Sequence, residues 1–195
     1  MSGVAGVLLA AGAGTRFGRP KALVRFAGRP LAQRGAATLA AAGCEPVLVV
    51  IGAAADEVRA IELSDTRVIR NDEWSSGMGS SLRAGLAAVP AEAEAVVIAL
   101  ADQPLVGAPV VRRLLGAFAD GARLAMAAYD GRRAHPVLLA REHWAGVSQA
   151  ARGDVGARDY LRRHAADVVE VDCTGLGDPA DIDTPDDLAA LEAKA

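Results

Sequence analysis

Aromatic residues, cysteines and long apolar runs are all scarce in this chain, and each shortage excludes a class of protein. Aromatic residues make up 4% of the 195 residues, so Ala, Val, Leu and Ile have to build the core. The two cysteines form no Cys-x-x-Cys pair, which favours buried thiols in a reducing compartment over a disulfide framework. The three histidines are scattered and match no zinc pattern. Runs of about 18 apolar residues, the length of a membrane span, do not occur.

An excess of positive charge is also missing. The net charge is −3 at pH 7 and no basic stripe dominates, so we expect no nucleic-acid partner. An anionic small ligand is still compatible with this balance, because a local cluster of cations can form on an acidic protein. The first residues, Met1-Ser2-Gly3, lack the basic and apolar segments of a leader. We therefore expect no signal peptide, no membrane association and a cytoplasmic location.

Hydrophobic residues are abundant, at 52% of the chain, and they follow an alternating pattern. Apolar runs of strand length alternate with segments of helical period. The predicted strands are 4–9, 47–51, 68–69, 96–100, 123–129, 137–139 and 168–171. The predicted helices are 31–42, 56–63, 80–89, 109–118, 157–164 and 185–194. This alternation predicts a single three-layer α/β domain over residues 1–195 with a mostly parallel sheet, whose ligands bind beyond the carboxyl ends of the strands.

The segment after the first strand carries the strongest signal for a ligand. Residues 8–21 read Leu-Leu-Ala-Ala-Gly-Ala-Gly-Thr-Arg-Phe-Gly-Arg-Pro-Lys. Gly12 and Gly14 free the backbone to approach a ligand, and Arg16 and Lys21 bring two positive charges into the same loop. Exposed N–H groups and two cations suit the phosphate tail of a nucleoside triphosphate. A Walker loop is excluded, because Lys21 follows a proline where that motif has a glycine. A dinucleotide fingerprint is excluded, because the third glycine, Gly18, comes one residue later than the spacing Gly-x-Gly-x-x-Gly requires.

Two acidic segments supply candidate metal ligands. Asp102 comes directly after strand 96–100 and is a candidate ligand for Mg²⁺, which prefers carboxylate, water and phosphate oxygens. The alternative for Asp102 is a turn acid that caps a nearby helix. Asp183 precedes the last helix, of which Thr184 is the predicted N-cap. Because capping does not need Asp183, this residue is the candidate second ligand; its alternative is a role in starting the helix.

A polar, glycine-bearing segment follows strand 68–69 and enters a helix. The candidates there for contact with a nucleobase or a second phosphate are Asn71, Gly79, Ser80 and Ser81. The alternative is simply an N-capped helix, and Trp74 in the same segment suits either packing or stacking on a base. A serine-hydrolase elbow is excluded, because Gly-x-Ser-x-Gly requires a glycine where Arg83 stands.

Three later residues are candidates for contact with a second substrate. His135 precedes the predicted strand 137–139, beside two arginines, where it either meets an anion or is structural. Asp154 and Arg158 belong to a second glycine-bearing turn, 153–158. That turn either covers a bulky substrate or caps the helix that follows.

Taken together, six segments resemble in order those of the molybdenum cofactor cytidylyltransferase group of the MobA-like NTP transferase family. They are 9–21, 71–82, 102–104, 135–137, 153–158 and 181–185. The resemblance covers nearly the whole chain and implies a Rossmann-like nucleotidyltransferase fold. It implies that Asp102 and Asp183 hold Mg²⁺, and that Arg16 and Lys21 bind the triphosphate and act with Asp102 in catalysis. The implied nucleotide-binding residues are Ala10, Ala11, Gly12, Gly14, Arg16, Lys21, Asn71, Gly79, Ser80 and Ser81.

The resemblance also implies an activity, the transfer of CMP from CTP to molybdopterin with release of pyrophosphate, and admits a molybdoenzyme as partner. Guanylyltransferase relatives tend to have Ala-Gly-Gly where this chain has Ala10-Ala11-Gly12, which favours cytosine. The sequence shows no general base, as expected for a phosphomonoester acceptor that is already anionic. The alternatives are a guanylyltransferase or another nucleotidyltransferase acting on a phosphomonoester. Outside that chemistry they are an NAD(P)H-dependent oxidoreductase, since similar chains are named nicotine blue oxidoreductases, and a non-catalytic carrier of the cofactor.

Overall fold

The computed structural model describes residues 3–194, in which the chain forms nine strands and seven α-helices. The strands are β1 (Val4–Ala10), β2 (Arg25–Phe26), β3 (Arg29–Pro30), β4 (Val47–Ile51), β5 (Thr66–Arg70), β6 (Ala95–Leu100), β7 (Leu124–Tyr129), β8 (Arg132–Ala140) and β9 (Val168–Asp172). The helices are α1 (Leu31–Ala42), α2 (Ala55–Arg59), α3 (Met78–Ala88), α4 (Ala108–Ala119), α5 (Trp144–Ala150), α6 (Arg158–Arg163) and α7 (Pro185–Glu192). The expectation about a leader falls partly on Met1 and Ser2, which lie outside the described residues.

Seven of the strands form one sheet in the order β5-β4-β1-β6-β8-β7-β9. β1 pairs in parallel with both β4 and β6, and the pairs β4–β5 and β7–β9 are parallel as well. β8 runs antiparallel to its neighbours β6 and β7. The short strands β2 and β3 form a separate antiparallel hairpin. The predicted mostly parallel sheet of a three-layer α/β fold is confirmed.

The core lies on both faces of this sheet. β1 and β4 are buried at every position, which is the pattern of central strands covered on both sides. Successive residues of β1 point to opposite faces, so Leu8 packs in the cluster that contains residues of α1 and α4, while Val7 packs in the cluster of α3 and α5. None of the helices within residues 3–194 has the length and apolar character that a membrane span requires.

Two elements were not predicted, the β2–β3 hairpin and helix α5. Helix α5 has seven residues, about two turns, and contains Gly146, so it carries little periodic signal. A Cβ at Gly146 would lie 2.4 Å from the ring of Tyr160 on α6. The close packing of α5 against α6 therefore stabilises a helix that its own sequence would leave marginal.

Candidate active site

The glycine-bearing segment leaves the carboxyl end of β1, in the middle of the sheet. The carbonyl oxygen of Ala11 accepts a hydrogen bond of 3.0 Å from the N–H of Ala53, which ties the start of the segment to the chain beyond β4. Gly14 has a φ of +61°, and a Cβ there would lie 2.0 Å from the carbonyl oxygen of Arg19. Only glycine fits that position, and the turn it permits brings Lys21 back to the edge of the sheet.

Four charged side chains meet beside this turn. Nζ of Lys21 lies 2.8 Å from Oδ2 of Asp102 and 2.5 Å from Oδ1 of Asp183. An Nη atom of Arg16 lies 2.8 Å from Oδ2 of Asp183. The Lys21, Asp102 and Asp183 side chains are 19%, 23% and 28% exposed, whereas Arg16 is 72% exposed. One ammonium thus bridges two partly buried carboxylates, with a guanidinium on the solvent side.

Burial and the charges of this cluster shift two pKa values. Burial by itself lowers the pKa of Lys21, but the charges and hydrogen bonds of Asp102 and Asp183 outweigh it and raise that pKa above its ordinary value. Lys21 is therefore a cation at neutral pH. Burial raises the pKa of Asp181, and the charge of Asp102 raises it further. Oδ1 of Asp181 accepts a hydrogen bond of 2.9 Å from Nε2 of Gln103.

Backbone contacts bring the two carboxylates together from distant parts of the chain. Asp102 follows the carboxyl end of β6, and its carbonyl oxygen accepts a 2.9 Å hydrogen bond from the N–H of Ile182. That bond places Asp183, one residue further on, beside Asp102. The N–H of Asp183 in turn donates to Oδ2 of Asp187 at 3.0 Å. Asp183 is therefore held by the main-chain bond of the preceding residue and by the bond from its own N–H to the carboxylate of Asp187.

Helix α7 begins at Pro185, two residues after Asp183. Thr184 and Asp187 form a capping box: Oγ1 of Thr184 accepts from the N–H of Asp187, and Oδ2 of Asp187 accepts from the N–H of Thr184. The predicted N-cap is confirmed. Because Thr184 and Asp187 complete the cap, the carboxylate of Asp183 is left for the charged cluster.

A cleft of about 440 Å³, called here the first cleft, opens over the cluster. The predicted site residues that line it are Ala10, Ala11, Gly12, Gly14, Arg16, Lys21, Ser81, Asp102, Asp154 and Asp183. Trp74 lines it as well and packs so closely on Gly52 that a Cβ at Gly52 would lie 2.4 Å from the Cβ of Trp74. The structure therefore brings together the cations, the carboxylates and the glycine loop that the sequence analysis proposed for one site.

Three of the predicted nucleotide-binding residues, Asn71, Gly79 and Ser80, lie behind the wall of the first cleft. Nδ2 of Asn71 donates to Oγ of Ser80 at 2.8 Å and to Oγ of Ser81 at 3.0 Å. All three residues are buried, and a Cβ at Gly79 would lie 2.8 Å from the backbone of Ala151. These contacts hold the segment in place beneath the cleft. Direct contact of these three residues with a nucleotide stays a prediction.

A second cleft, of about 510 Å³, adjoins the first. Its lining includes all three residues predicted to meet a second substrate, His135, Asp154 and Arg158. Its larger aliphatic side chains are those of Leu9, Leu82, Ile98, Leu100, Val137, Val155 and Leu161, and Met78 and Met126 add thioethers. The residues shared with the first cleft are Leu9, Met78, Leu100 and Asp154. Two ligands bound in the two clefts would therefore meet at this boundary.

His135 lies on β8, and not before a strand as the sequence suggested. The register between β7 and β8 shifts after Met126, so His135 and Pro136 have no partner on β7. A bulge of this kind re-aims a side chain, here into the second cleft. Burial lowers the pKa of His135 to about 4; the charge of Asp102 opposes this shift and that of Arg158 adds to it. His135 is therefore neutral at pH 7.

The donor set of the cluster fits a divalent ion that is shared with a phosphate ligand. Asp102 and Asp183 already direct carboxylate oxygens at one cation, the ammonium of Lys21. Within residues 3–194, no group of three or more His, Cys, Asp or Glu side chains is arranged as a complete metal cage. Mg²⁺ commonly takes one or two carboxylates and completes its shell with water and substrate phosphates. Asp102 and Asp183 are thus suited to hold such an ion together with a polyphosphate.

Two residues of the clefts, Gln103 and Met78, were not expected individually. Gln103 lines the second cleft and donates hydrogen bonds to Asp181 and to the carbonyl oxygen of Pro179. Its position directly after Asp102 at a strand end was a usable signal. Met78 lines both clefts and is 38% exposed. A methionine at a helix start carries no chemical pattern from which this position could be read.

The fold and the site define a class of protein: a three-layer α/β nucleotidyltransferase, with a glycine loop, cations and paired carboxylates at the carboxyl edge of its parallel strands. A family model described as the MobA-like NTP transferase domain matches residues 6–168. The chain belongs to the MobA-like NTP transferase family, and the expectation of an enzyme of nucleotidyltransferase type is confirmed at that level. The narrower resemblance to the cytidylyltransferase group stays a prediction.

Individual relatives cover almost the whole chain. Nicotine blue oxidoreductase from Paenarthrobacter nicotinovorans is 40% identical over 197 residues, a match that covers 96% of each chain. The crystal structure of Rv0371c from Mycobacterium tuberculosis H37Rv superposes with a TM-score of 0.86 at 28% identity, covering 99% of this chain and 100% of that one. A structure of Rv0371C in complex with manganese superposes with a TM-score of 0.84, also at 28% identity and the same coverage. A similar protein thus binds a divalent ion.

Proposed function

We propose that the protein transfers CMP from CTP to the phosphate of molybdopterin, releases pyrophosphate and depends on a divalent ion, Mg²⁺. The observation that carries this proposal is the convergence of Lys21 on Asp102 and Asp183, next to Arg16 and the glycine loop. A metal-bound triphosphate needs both carboxylates for the ion and cations for the phosphates. Membership of the NTP transferase family supports nucleotidyl transfer, and the Ala-Ala-Gly sequence at residues 10–12 supports cytosine.

The proposed reaction is one in-line displacement at the α-phosphorus. An oxygen of the acceptor phosphate forms the new P–O bond, the bond from the α-phosphorus to the α,β-bridging oxygen breaks, and pyrophosphate leaves with that electron pair. Arg16, Lys21 and the N–H groups of the glycine loop bind the triphosphate and neutralise its charge. A divalent ion held by Asp102 and Asp183 would supply Lewis-acid polarisation of the phosphoryl oxygens. No proton has to move, because the acceptor phosphate is already anionic, and His135 is correspondingly neutral at pH 7.

The second cleft supports an acceptor that carries a ring system. Its volume of about 510 Å³ is in the range of small-molecule sites. Its aliphatic side chains suit the faces of a flat heterocycle, and Arg133, Arg158 and Arg162 offer cations for an acceptor phosphate. Since the two clefts share Leu9 and Leu100, we expect that phosphate to lie next to a triphosphate held in the first cleft.

The name of the Paenarthrobacter relative favours a second candidate function, an NAD(P)H-dependent oxidoreductase. The glycine loop would then hold the pyrophosphate bridge of the dinucleotide, and the second cleft would take an oxidised heteroaromatic substrate. Hydride transfer, however, uses no pair of metal-binding carboxylates. The cluster around Lys21 is therefore better accounted for by nucleotidyl transfer.

A screen of nucleotides separates these functions. The purified protein is incubated with CTP, GTP, ATP or UTP and Mg²⁺, with and without molybdopterin, and pyrophosphate is measured. We expect release with CTP and molybdopterin together. Asp183→Asn should suppress that release, whereas Arg29→Ala, which removes an exposed charge outside both clefts, should not.

Other outcomes contradict the proposal in recognisable ways. Release with a different nucleotide or acceptor would keep nucleotidyl transfer and overturn the assigned substrates. Loss of reduced-nicotinamide absorbance without pyrophosphate would identify an oxidoreductase. Binding of molybdopterin without consumption of any nucleotide would identify a carrier.

A further inference from the structure

The contacts of Lys21 bear on how the metal position is controlled. Its Nζ atom forms ion pairs with Oδ2 of Asp102 at 2.8 Å and with Oδ1 of Asp183 at 2.5 Å. An Nη atom of Arg16 lies 2.8 Å from the other carboxylate oxygen of Asp183, Oδ2. Of the four carboxylate oxygens that Asp102 and Asp183 could offer a divalent ion, three therefore already contact the protein's own cations. The protein's own cations and a metal ion therefore compete for one set of ligands.

Electrostatics makes this competition strong. The side chains of Lys21, Asp102 and Asp183 are at most 28% exposed, so solvent and salt screen their charges less than on an open surface. A divalent ion that entered beside Lys21 would be repelled by its positive charge. Withdrawal of Lys21 alone would leave two partly buried carboxylates facing each other, which is unfavourable without a replacement cation. A polyphosphate changes this balance, because its oxygens give the ammonium of Lys21 new partners. Lys21 can then leave the two carboxylates while the divalent ion takes its place.

The local structure anchors the backbone of Lys21 but not the end of its side chain. Lys21 begins a short 3₁₀ turn, Lys21–Leu23, in which the next residue, Ala22, is 1% exposed. The N–H of Val24 donates to the carbonyl oxygen of Lys21 at 3.0 Å. The main chain is thus fixed at the wall of the first cleft. The four-carbon stem of lysine can still change rotamer and move the charge between partners.

We propose that Lys21 closes the metal position: it holds Asp102 and Asp183 until a polyphosphate draws its ammonium away, so that the divalent ion and the nucleotide bind with strong mutual coupling. Because coupling between two ligands is reciprocal, the ion must strengthen nucleotide binding by the same factor as the nucleotide strengthens ion binding. The inference rests on the proposed function only in taking the polyphosphate to be a nucleoside triphosphate.

Binding of Mn²⁺, measured by electron paramagnetic resonance without any turnover, is the first test. Lys21→Met keeps much of the side-chain stem and removes the charge, so it should bind Mn²⁺ about 10- to 100-fold more tightly than the parent when no nucleotide is present. Arg29→Met, which removes a charge outside both clefts, should bind Mn²⁺ like the parent. Addition of α,β-methylene-CTP should tighten Mn²⁺ binding strongly in the parent and only weakly in Lys21→Met. Equal Mn²⁺ affinity of parent and Lys21→Met would overturn the inference.

The lysine content of the chain allows a second test on the unmodified protein, which does not depend on the folding of a variant. Lysine occurs twice, at positions 21 and 194, and Lys194 pairs with Asp178 at 2.9 Å outside both clefts. Lysine labelled with ¹³C at Cε therefore gives one reporter in the site and one matched ion-paired control. We expect the Lys21 resonance to move with α,β-methylene-CTP, and to respond to moderate Mg²⁺ only when the analogue is present. Displacement of Lys21 by the same Mg²⁺ alone, with Lys194 unchanged, would refute the coupling.

Failure of this inference and failure of the proposed function are distinguishable. Tighter Mn²⁺ binding by Lys21→Met in a protein that binds no nucleotide would support the closing role of Lys21 and refute CTP as substrate. Suppose instead that the parent releases pyrophosphate, but its Mn²⁺ affinity changes neither on Lys21→Met substitution nor on addition of the nucleotide. That result would support the function and refute the closing role.

Discussion

Lys21 is the residue on which the electrostatics of the site depends most. It bonds two carboxylates that lie 81 and 162 positions further along the chain, and it does so at a partly buried position. Its raised pKa keeps it charged at any pH near neutrality. A cation at this place neutralises the two carboxylates and, under the proposed function, would also bind a phosphate.

Removal of this cation should slow the proposed reaction. Lys21→Ala is expected to lower the rate of pyrophosphate release by about 10²–10³, the usual effect of losing one fixed group that stabilises developing charge. Steady-state pyrophosphate release measures it, with Lys194→Ala as the control for loss of a lysine. Turnover of Lys21→Ala at the parent rate would show that Lys21 has no role in the chemistry.

Asp102 should determine the response to metal. Asp102→Asn keeps the size and an oxygen for Lys21 but loses the negative charge that a divalent ion requires. The concentration of Mg²⁺ that gives half-maximal activity should rise, while the thermal unfolding midpoint stays near that of the parent. If the metal titration curves of variant and parent coincide, Asp102 is not a ligand.

His135 should make the stability of the protein depend on pH. Burial lowers its pKa to about 4 in the folded chain, against about 6.5 for an exposed histidine. The unfolded chain therefore binds this proton more readily between these values, and the free energy of unfolding should fall as the pH drops from about 6.5 to about 4. Urea unfolding across this range should show a smaller fall for His135→Gln. Parallel curves for the two proteins would exclude His135 as the cause.

At the scale of single elements, two local devices position the site. The bulge in β8 turns His135 into the second cleft, and Asp187 of the α7 capping box accepts a hydrogen bond from the N–H of Asp183. Both the bulge and the capping box lie where the backbone departs from regular strand or helix geometry. Regular strands and helices carry the fold, while these interruptions place the side chains.

Loss of the cap of α7 should destabilise the protein. Thr184→Ala removes the side-chain oxygen that accepts from the N–H of Asp187, and should lower the free energy of unfolding by about 1 kcal/mol. Chemical denaturation measures the change. Thr38→Ala, in the interior of α1 and away from both of its ends, is the control for loss of a threonine side chain. An unchanged midpoint for Thr184→Ala would mean that the cap adds nothing to stability.

At the scale of the whole molecule, small residues set the distance between the helical layers and the sheet. Gly85 of α3 lies against β1, and a Cβ there would be 2.7 Å from Cγ1 of Val7 and 3.2 Å from Cγ2 of Val50. Valine side chains are stiff, so they cannot move aside cheaply. The layer of α3 therefore lies close to the sheet, which also keeps the wall of the first cleft in place.

Two glycines in helix interiors should respond to alanine in opposite directions. Gly85→Ala should destabilise the protein by about 1–3 kcal/mol, because it overpacks the interface between α3 and β1. Gly116→Ala, on the exposed side of α4 with no atom within 4 Å of a new Cβ, should stabilise it by about 0.5–1 kcal/mol through helix propensity. Thermal unfolding of the two variants compares them directly. A similar response from both would contradict a packing role for Gly85.

The sequence by itself determined the class of fold and the edge of the sheet at which the site lies. Helix 31–42 and strand 47–51 have the bounds that their sequence patterns predicted. The reason is that the burial of a strand or of one helix face requires apolar residues at characteristic spacings within the segment itself. The glycines and cations of the first loop are likewise local, since the turn and its charges lie within residues 8–21. Local patterns of this kind can be read without knowledge of the remaining chain.

Only the tertiary structure decided which charges meet. The contact of Lys21 with both Asp102 and Asp183 follows from the strand order, which puts β6 beside β1, and from the bond between Ile182 and Asp102. The same is true of the buried hydrogen bond between Asn71 and Ser80, two residues whose direct contact with a nucleotide stays a prediction. No local pattern records such partners, because pairing between distant segments depends on the packing of all the layers at once.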